Sequence, residues 1–230
     1  MSFSTNEFDG HKLFTPQHFD IVDKIDEDDI RGLHQLINKS NLNTVGAHSI
    51  SFVSYAFMKN KRKSFDFLLS NGADVNIPIE ISSNKYTHLI NISTKLDDPF
   101  YFNKLVEIAN LNFKDEKGSP PLHNCVYAGK YDRLSDLLSK GADINIIDQM
   151  NYTVLYLLCS ISNFKEAYNV LSRGADPSIP TNIEDTVPAL VFDKKVSEGT
   201  ENALYLQKIK IELSRLGITV PEERPWNRVK

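Results

Sequence analysis

Apolar residues in this chain fall at helical spacing in short paired bursts, and polar stretches that run into glycine separate them. Leu122, Cys125 and Val126 stand at i, i+3 and i+4, one buried helical face, with Pro121 at the start of the helix, where a missing N–H costs nothing. Gly129 ends that helix. Leu134, Leu137 and Leu138 mark a second one, closed by Gly141 with an expected positive φ. The pattern returns as Leu155, Leu158 and Cys159, then as Val170 and Leu171 before Gly174. Towards the N-terminus, Ile21, Val22, Ile25, Ile30, Leu33, Leu36 and Ile37 keep the spacing opposite a charged face. At the other end "ALYLQKIKIELSRLGI" predicts a long amphipathic helix.

The bursts are periodic. Asp148 follows Asp115 by 33 residues, Leu155 follows Leu122 by 33, and Gly174-Ala175-Asp176 follows Gly141-Ala142-Asp143 by 33. A period of this size is that of a solenoid, whose units cannot each bury their apolar face alone. Upstream, Thr87–Ile90 aligns with Pro120–His123, and Ala109–Asn112 with Ala142–Asn145. "FDFLLSNGADVNI", ending at Ile77, repeats the second helix and its turn, with three residues inserted after it (Gly72 to Ile108 is 36). Downstream, Thr186 falls 33 after Thr153, but the next helix ending comes ten residues late (Gly174 to Gly217 is 43).

Asp115-x-x-Gly118-x-x-Pro121-Leu122-His123, then Gly129, Leu137-Leu138 and Gly141-Ala142-Asp143-Ile144-Asn145, resemble the ankyrin repeat. The resemblance covers residues 46–180, with weaker flanks at 18–45 and 181–222. It implies an all-α solenoid of stacked helix-turn-helix units with projecting β-turn loops, five to six units counting irregular caps. The expected organisation is an N-terminal arm at 1–17 and a capping unit at 18–45. Repeats follow at 46–78, 82–114, 115–147 and 148–180. A C-terminal capping unit at 181–222, with an insertion near 193–202, leads to a tail at 223–230. Tyr156 and Ile90 replace the motif histidine, and Ile108 stands where glycine is usual, so the loop geometry of the 82–114 unit is the least determined by the pattern. His123 holds the motif place whose family role is to bond neighbouring backbone.

The resemblance also implies where a partner sits: loop tips and the exposed ends of the first helices form a concave face. The partner-binding residues carried over are Met58, Tyr86, Glu116, Lys117, Tyr127, Met150, Tyr152 and Ile161. Exposed tyrosine and methionine gathered on one surface suit a protein hot spot, burying much area at modest entropy cost. Packing against neighbouring loops is the competing use of the same side chains.

Composition narrows the function classes. With 41% hydrophobic residues and a formal net charge of −4, the chain is globular and mildly acidic. The densest basic run, Lys59–Lys63, is short and reads as a solvated turn, so no nucleic-acid partner is expected; an anionic partner met by this run with Lys95 is the minor alternative. "MSFSTNEFDG" does not read as a secretory signal, and no apolar stretch is of membrane-spanning length. The two cysteines, Cys125 and Cys159, lack metal-ligand or Cys-x-x-Cys spacing and read as buried core thiols of a cytoplasmic protein. "DEDD" at Asp26–Asp29 reads as helix capping rather than a metal cluster, because four adjacent acids cannot all point at one ion.

No nucleophile elbow, phosphate loop, metalloprotease motif or dinucleotide fingerprint occurs. No catalytic residue, cofactor or metal is expected. The function expected is a non-catalytic protein-binding module, monomeric on its own, that neutralises or regulates one specific protein, for example a toxin held by its immunity protein. A host-directed bacterial or viral effector is the alternative. An enzyme with a cleft near the 193–202 insertion is a further one.

Overall fold

The computed structural model describes residues 9–219, so the expected tail at 223–230 and the first residues of the N-terminal arm lie outside the described residues. The chain divides into two compact units, one ending at Asn110 and the other beginning at Leu111. In the first unit, α1 (Gly10–Leu13) precedes α2 (Phe19–Asp26) and α3 (Ile30–Leu36), α4 (Phe52–Met58) and α5 (Arg62–Ser70), then α6 (Leu89–Ser93) and α7 (Phe100–Leu105). In the second unit the pairs are α8 (Pro121–Tyr127) with α9 (Tyr131–Ser139), α10 (Val154–Ser160) with α11 (Phe164–Ser172), and α12 (Val187–Phe192) with α13 (Glu201–Arg215). Each pair is a hairpin. Within the units α4 packs on α2, α10 on both α8 and α12, and α13 on α11. The helical-repeat architecture implied by the period is what both units show.

Glycine placement decides how each hairpin closes. Gly72, Gly141, Gly174 and Gly217 lie at φ +88°, +89°, +93° and +75°. That conformation lets the next N–H reach back five residues: Ala73 to the Leu68 carbonyl (3.0 Å), Ala142 to Leu137 (3.0 Å), Ala175 to Val170 (3.4 Å), Ile218 to Leu213 (2.9 Å). Ile108 cannot adopt it without strain, and the 82–114 unit closes differently. There α7 stops at Leu105, and the Ala109 N–H reaches back only four residues, to the Leu105 carbonyl at 2.8 Å.

The three-residue insertion also takes a defined form. It lengthens the loop enough for β1 (Ile79–Ser82) to pair antiparallel with β2 (Lys85–Thr87), Ile79 opposite Thr87 and Glu80 opposite Tyr86. Asn84 makes the tight connection at φ +59°. The all-α expectation therefore gains this one small sheet among the described residues.

The segment expected to be an arm is not free of the fold. Phe14 is 5% exposed, its ring 4.8 Å from that of Phe52. Behind it, Ile21, Val22, Ile25 and Leu33 are buried, while Ile30, Leu36 and Ile37 are half-buried. The four acids of the cap are engaged by different partners, apart from Glu27 and Asp29, which share Lys24. Asp29 accepts the Gly32 N–H (3.1 Å) as the N-cap of α3, and Asp28 accepts both the N–H and the hydroxyl of Ser64 (2.7 Å each) at the start of α5. Asp26 accepts the Tyr55 hydroxyl, and Glu27 pairs with Lys24.

Successive loops are joined by asparagine. The Asn43, Asn76, Asn112 and Asn145 side chains accept the backbone N–H of Asp74, Asn110, Asp143 and Asp176 at 2.9, 2.8, 2.9 and 2.8 Å. Each bond lies within one unit, and each replaces water at an exposed loop amide with an acceptor fixed by the preceding repeat.

Candidate protein-interaction surface

Three turns of the second unit share one design, at residues 115–119, 148–152 and 181–185. In each, the first N–H donates to the carbonyl of the fifth residue: Asp115 to Ser119 at 3.0 Å, Asp148 to Tyr152 at 3.0 Å, Thr181 to Asp185 at 2.8 Å. The first side chain organises the turn from inside. Asp115 Oδ1 accepts the N–H groups of Lys117 and Ser119, both at 3.0 Å. Asp148 Oδ1 does the same for Met150 (2.8 Å) and Tyr152 (2.9 Å). Thr181 has one acceptor hydroxyl and receives only the Asp185 N–H, at 3.1 Å. The fourth residue is left-handed each time: Gly118, Asn151 and Glu184, at φ +69°, +56° and +61°. With the ends tied and the first side chain buried, the third residue is turned out to solvent. Those residues are Lys117, Met150 and Ile183.

The turns are pinned to the preceding helices. His123, fully buried on α8, donates Nε2–H to the Tyr152 carbonyl at 2.7 Å. Burial holds its imidazole below the ordinary value of 6.5, so the ring is neutral. One repeat on, Tyr156 donates its hydroxyl to Asp185 Oδ2 at 2.8 Å. At the end of α8, Tyr127 is 57% exposed while its hydroxyl donates to Asp148 Oδ2 at 3.3 Å. Partial burial, and then the Asp148 carboxylate, push that phenol up to about 12. At the end of α10, Ile161 is 51% exposed.

The residues carried over by resemblance thus separate. Tyr127, Met150 and Ile161 are large, exposed and in one unit; Lys117 is exposed and Glu116 half-buried beside them. Tyr152 is half-buried, its ring 4.8 Å from that of Tyr156, so packing takes a share of it. Tyr86 is exposed on β2 of the first unit. Met58 departs from the expectation: at 8% exposure it is a core residue on α4, because the apolar face of that helix extends through its last position. Ile183, at 57% exposure, belongs with the exposed group and was not among the expected residues. It lies 33 after Met150, and the same subtraction that carries Thr153 to Thr186 would have found it.

Elsewhere, side chains with chemical potential are engaged internally. Lys59 pairs with Asp26 at 3.6 Å, Lys61 donates to the Asp26 carbonyl, and Arg62 pairs with Asp98 while lying 4.7 Å over the Phe100 ring. The basic run therefore meets acids of its own unit. Cys125 and Cys159 are free and fully buried, and burial raises both thiols, Cys159 to about 12. Among the described residues no three histidine, cysteine or acidic side chains gather as metal ligands, and no helix is long and apolar enough to cross a membrane.

Comparison with known proteins agrees with this geometry. The ankyrin repeat family model matches residues 117–149, the repeat that holds His123 and Tyr127. Protein PhlB of Serratia liquefaciens is 26% identical over 164 residues, covering 70% of this chain and 68% of PhlB. Ankyrin repeat protein OPG189 of variola virus is 30% identical over 111 residues, 44% of this chain; the chain spans 19% of that protein's length. Among solved structures, the ankyrin repeat protein EF0377 superposes with a TM-score of 0.61 at 18% identity, over 87% of this chain and 99% of that one. The ankyrin repeat domain of Bcl-3, a member of the IkappaB protein family, gives 0.58 at 16% identity, over 80% of this chain and 95% of its own. The fold is that of ankyrin repeat proteins, and ankyrin repeats make protein–protein interaction modules.

Proposed function

We propose that a chain built of ankyrin repeats, as this one is, binds one specific protein through the exposed side of its second unit and neutralises or regulates it without chemistry of its own. The observation carrying this reading is the placement of Tyr127, Met150 and Ile161. Each is a large side chain at least 41% exposed, at a loop tip or first-helix end of adjoining repeats. Their exposed parts leave apolar surface in water, and a partner that covers them gains hydrophobic free energy in proportion to the area it buries. Supporting the reading, the turns that present them are fixed by Asp148 and by His123, so little ordering entropy is lost on binding. A toxin held by its immunity protein is one concrete form of this role, chosen on architecture alone. Buried free thiols favour a reducing compartment, the cytoplasm.

The test is capture of partners from the native host on the immobilised chain, identification by mass spectrometry, and calorimetry with the purified partner. A 1:1 complex weakened at least about tenfold by Tyr127→Ala with Ile161→Ser, at unchanged melting temperature, is the expected result. A partner held equally by the double variant overturns the assignment of the surface.

A further inference from the structure

Resting on that reading, we propose that the partner presents a polarised segment: an acidic residue, then uncharged apolar side chains, then a basic residue, laid across the three turns of the second unit. The turns at 115–119, 148–152 and 181–185 turn out Lys117, Met150 and Ile183 in order, and Glu184 is exposed beside Ile183. The exposed charges of the row are therefore a cation at one end, Lys117 with the half-buried Glu116 beside it, and a carboxylate at the other, Glu184, with two apolar side chains between. The turns that carry Met150 and Ile183 are joined to each other. The Asn182 N–H donates to the Met150 carbonyl at 3.3 Å, and its side-chain amide lies 3.9 Å from Met150 Sδ. These bonds join the two turns at Met150 and at Asn182, the chain neighbour of Ile183, while Met150 and Ile183 stay 41% and 57% exposed.

Magnitudes divide the roles. Exposed ion pairs contribute little and are screened by salt, so Lys117 and Glu184 supply orientation and encounter rate more than affinity. Covering the exposed apolar surface of Met150 and Ile183 contributes more than either exposed ion pair, so affinity resides there. The rule for the occupant follows: apolar in the middle, opposite in sign to the row at each end. The reversed segment meets like charge at both ends and is disfavoured. Ile183 becomes the specificity-determining residue of the turn that the repeat register leaves last.

The probe is a phage-displayed library of random twelve-residue peptides selected on the intact chain. Enriched peptides are expected to carry adjacent apolar residues with an acid on one side. Their synthetic forms should lose at least about tenfold in affinity on Ile183→Asp and about threefold on Lys117→Glu at low salt. The Lys117→Glu loss should be regained when the peptide acid is changed to lysine. Ile183→Ser, with melting temperatures of all variants, separates loss of the patch from loss of fold. Peptides that lose affinity on Tyr127→Ala yet bind Ile183→Asp as tightly as the parent overturn this inference and leave the proposed surface standing. Failure to enrich any peptide, or binding indifferent to both changes, overturns the two together.

Discussion

The Tyr156 hydroxyl donates to the Asp185 carboxylate at 2.8 Å across 29 residues, the interval that also separates His123 from the Tyr152 carbonyl it holds at 2.7 Å. Two unlike side chains at equivalent places make the same connection, from a first helix to the turn of the next repeat. Imidazole reaches a carbonyl. The longer phenol reaches past the backbone to a carboxylate, which is why Asp185 is buried there at 2% exposure. Tyr156→Phe keeps the ring against Tyr152 but leaves a buried Asp185 oxygen without that donor. The expected loss is about 1.5–3 kcal/mol, read by urea unfolding, since hydrogen bonds to charged groups lie in that range. A change under about 0.5 kcal/mol would show that the link adds nothing to the stack.

Backbone handedness supplies a pair of opposite predictions. Gly141 sits at φ +89° with open space where a Cβ would go, so Gly141→Ala costs backbone strain alone, about 1–3 kcal/mol. Ser162 ends α10 at φ +63°, the place Gly129 holds after α8. Ser162→Gly removes that strain and should raise stability by about 0.5–1 kcal/mol. Paired denaturation midpoints check both signs, and a destabilised Ser162→Gly would mean that the serine side chain, not the backbone, sets this corner.

Acid should loosen both units. His88 in the first and His123 in the second are held below 6.5 by burial, so both are neutral in the fold. The unfolded chain takes up protons at its ordinary histidine value, before the folded chain does. Stability is thus complete above about pH 6.5 and declines as the pH falls from there towards the depressed folded values. His123→Gln still offers a donor to the Tyr152 carbonyl but does not titrate. It should flatten this slope between pH 6.5 and 5, as measured by melting temperature; a slope equal to the parent's removes His123 as a source.

Period and apolar spacing made the hairpins legible in the sequence, because the repeated Gly-Ala-Asp marks a positive φ that few residues other than glycine adopt. What stayed hidden shared a cause. Ile108, without that backbone freedom, gave no sign of how its unit closes, and three extra residues gave no sign of pairing as strands. The surface was legible only as far as the register was. Tyr127, Met150 and Ile161 followed from it, Ile183 fell in the flank at 181–222 where the resemblance weakens, and Met58 was placed outside because a helix buried along its whole length looks, by position, like one buried on a single face.

Interaction through the exposed side of the second unit is tested most directly by photo-crosslinking in the native host. Benzoylphenylalanine would stand at position 127, at position 161, or at position 136, where Asp136 is exposed on the second helix of its hairpin, α9. The account predicts one protein, the same from 127 and 161, and no product from 136. Equal labelling from all three positions, or from 136 alone, contradicts it.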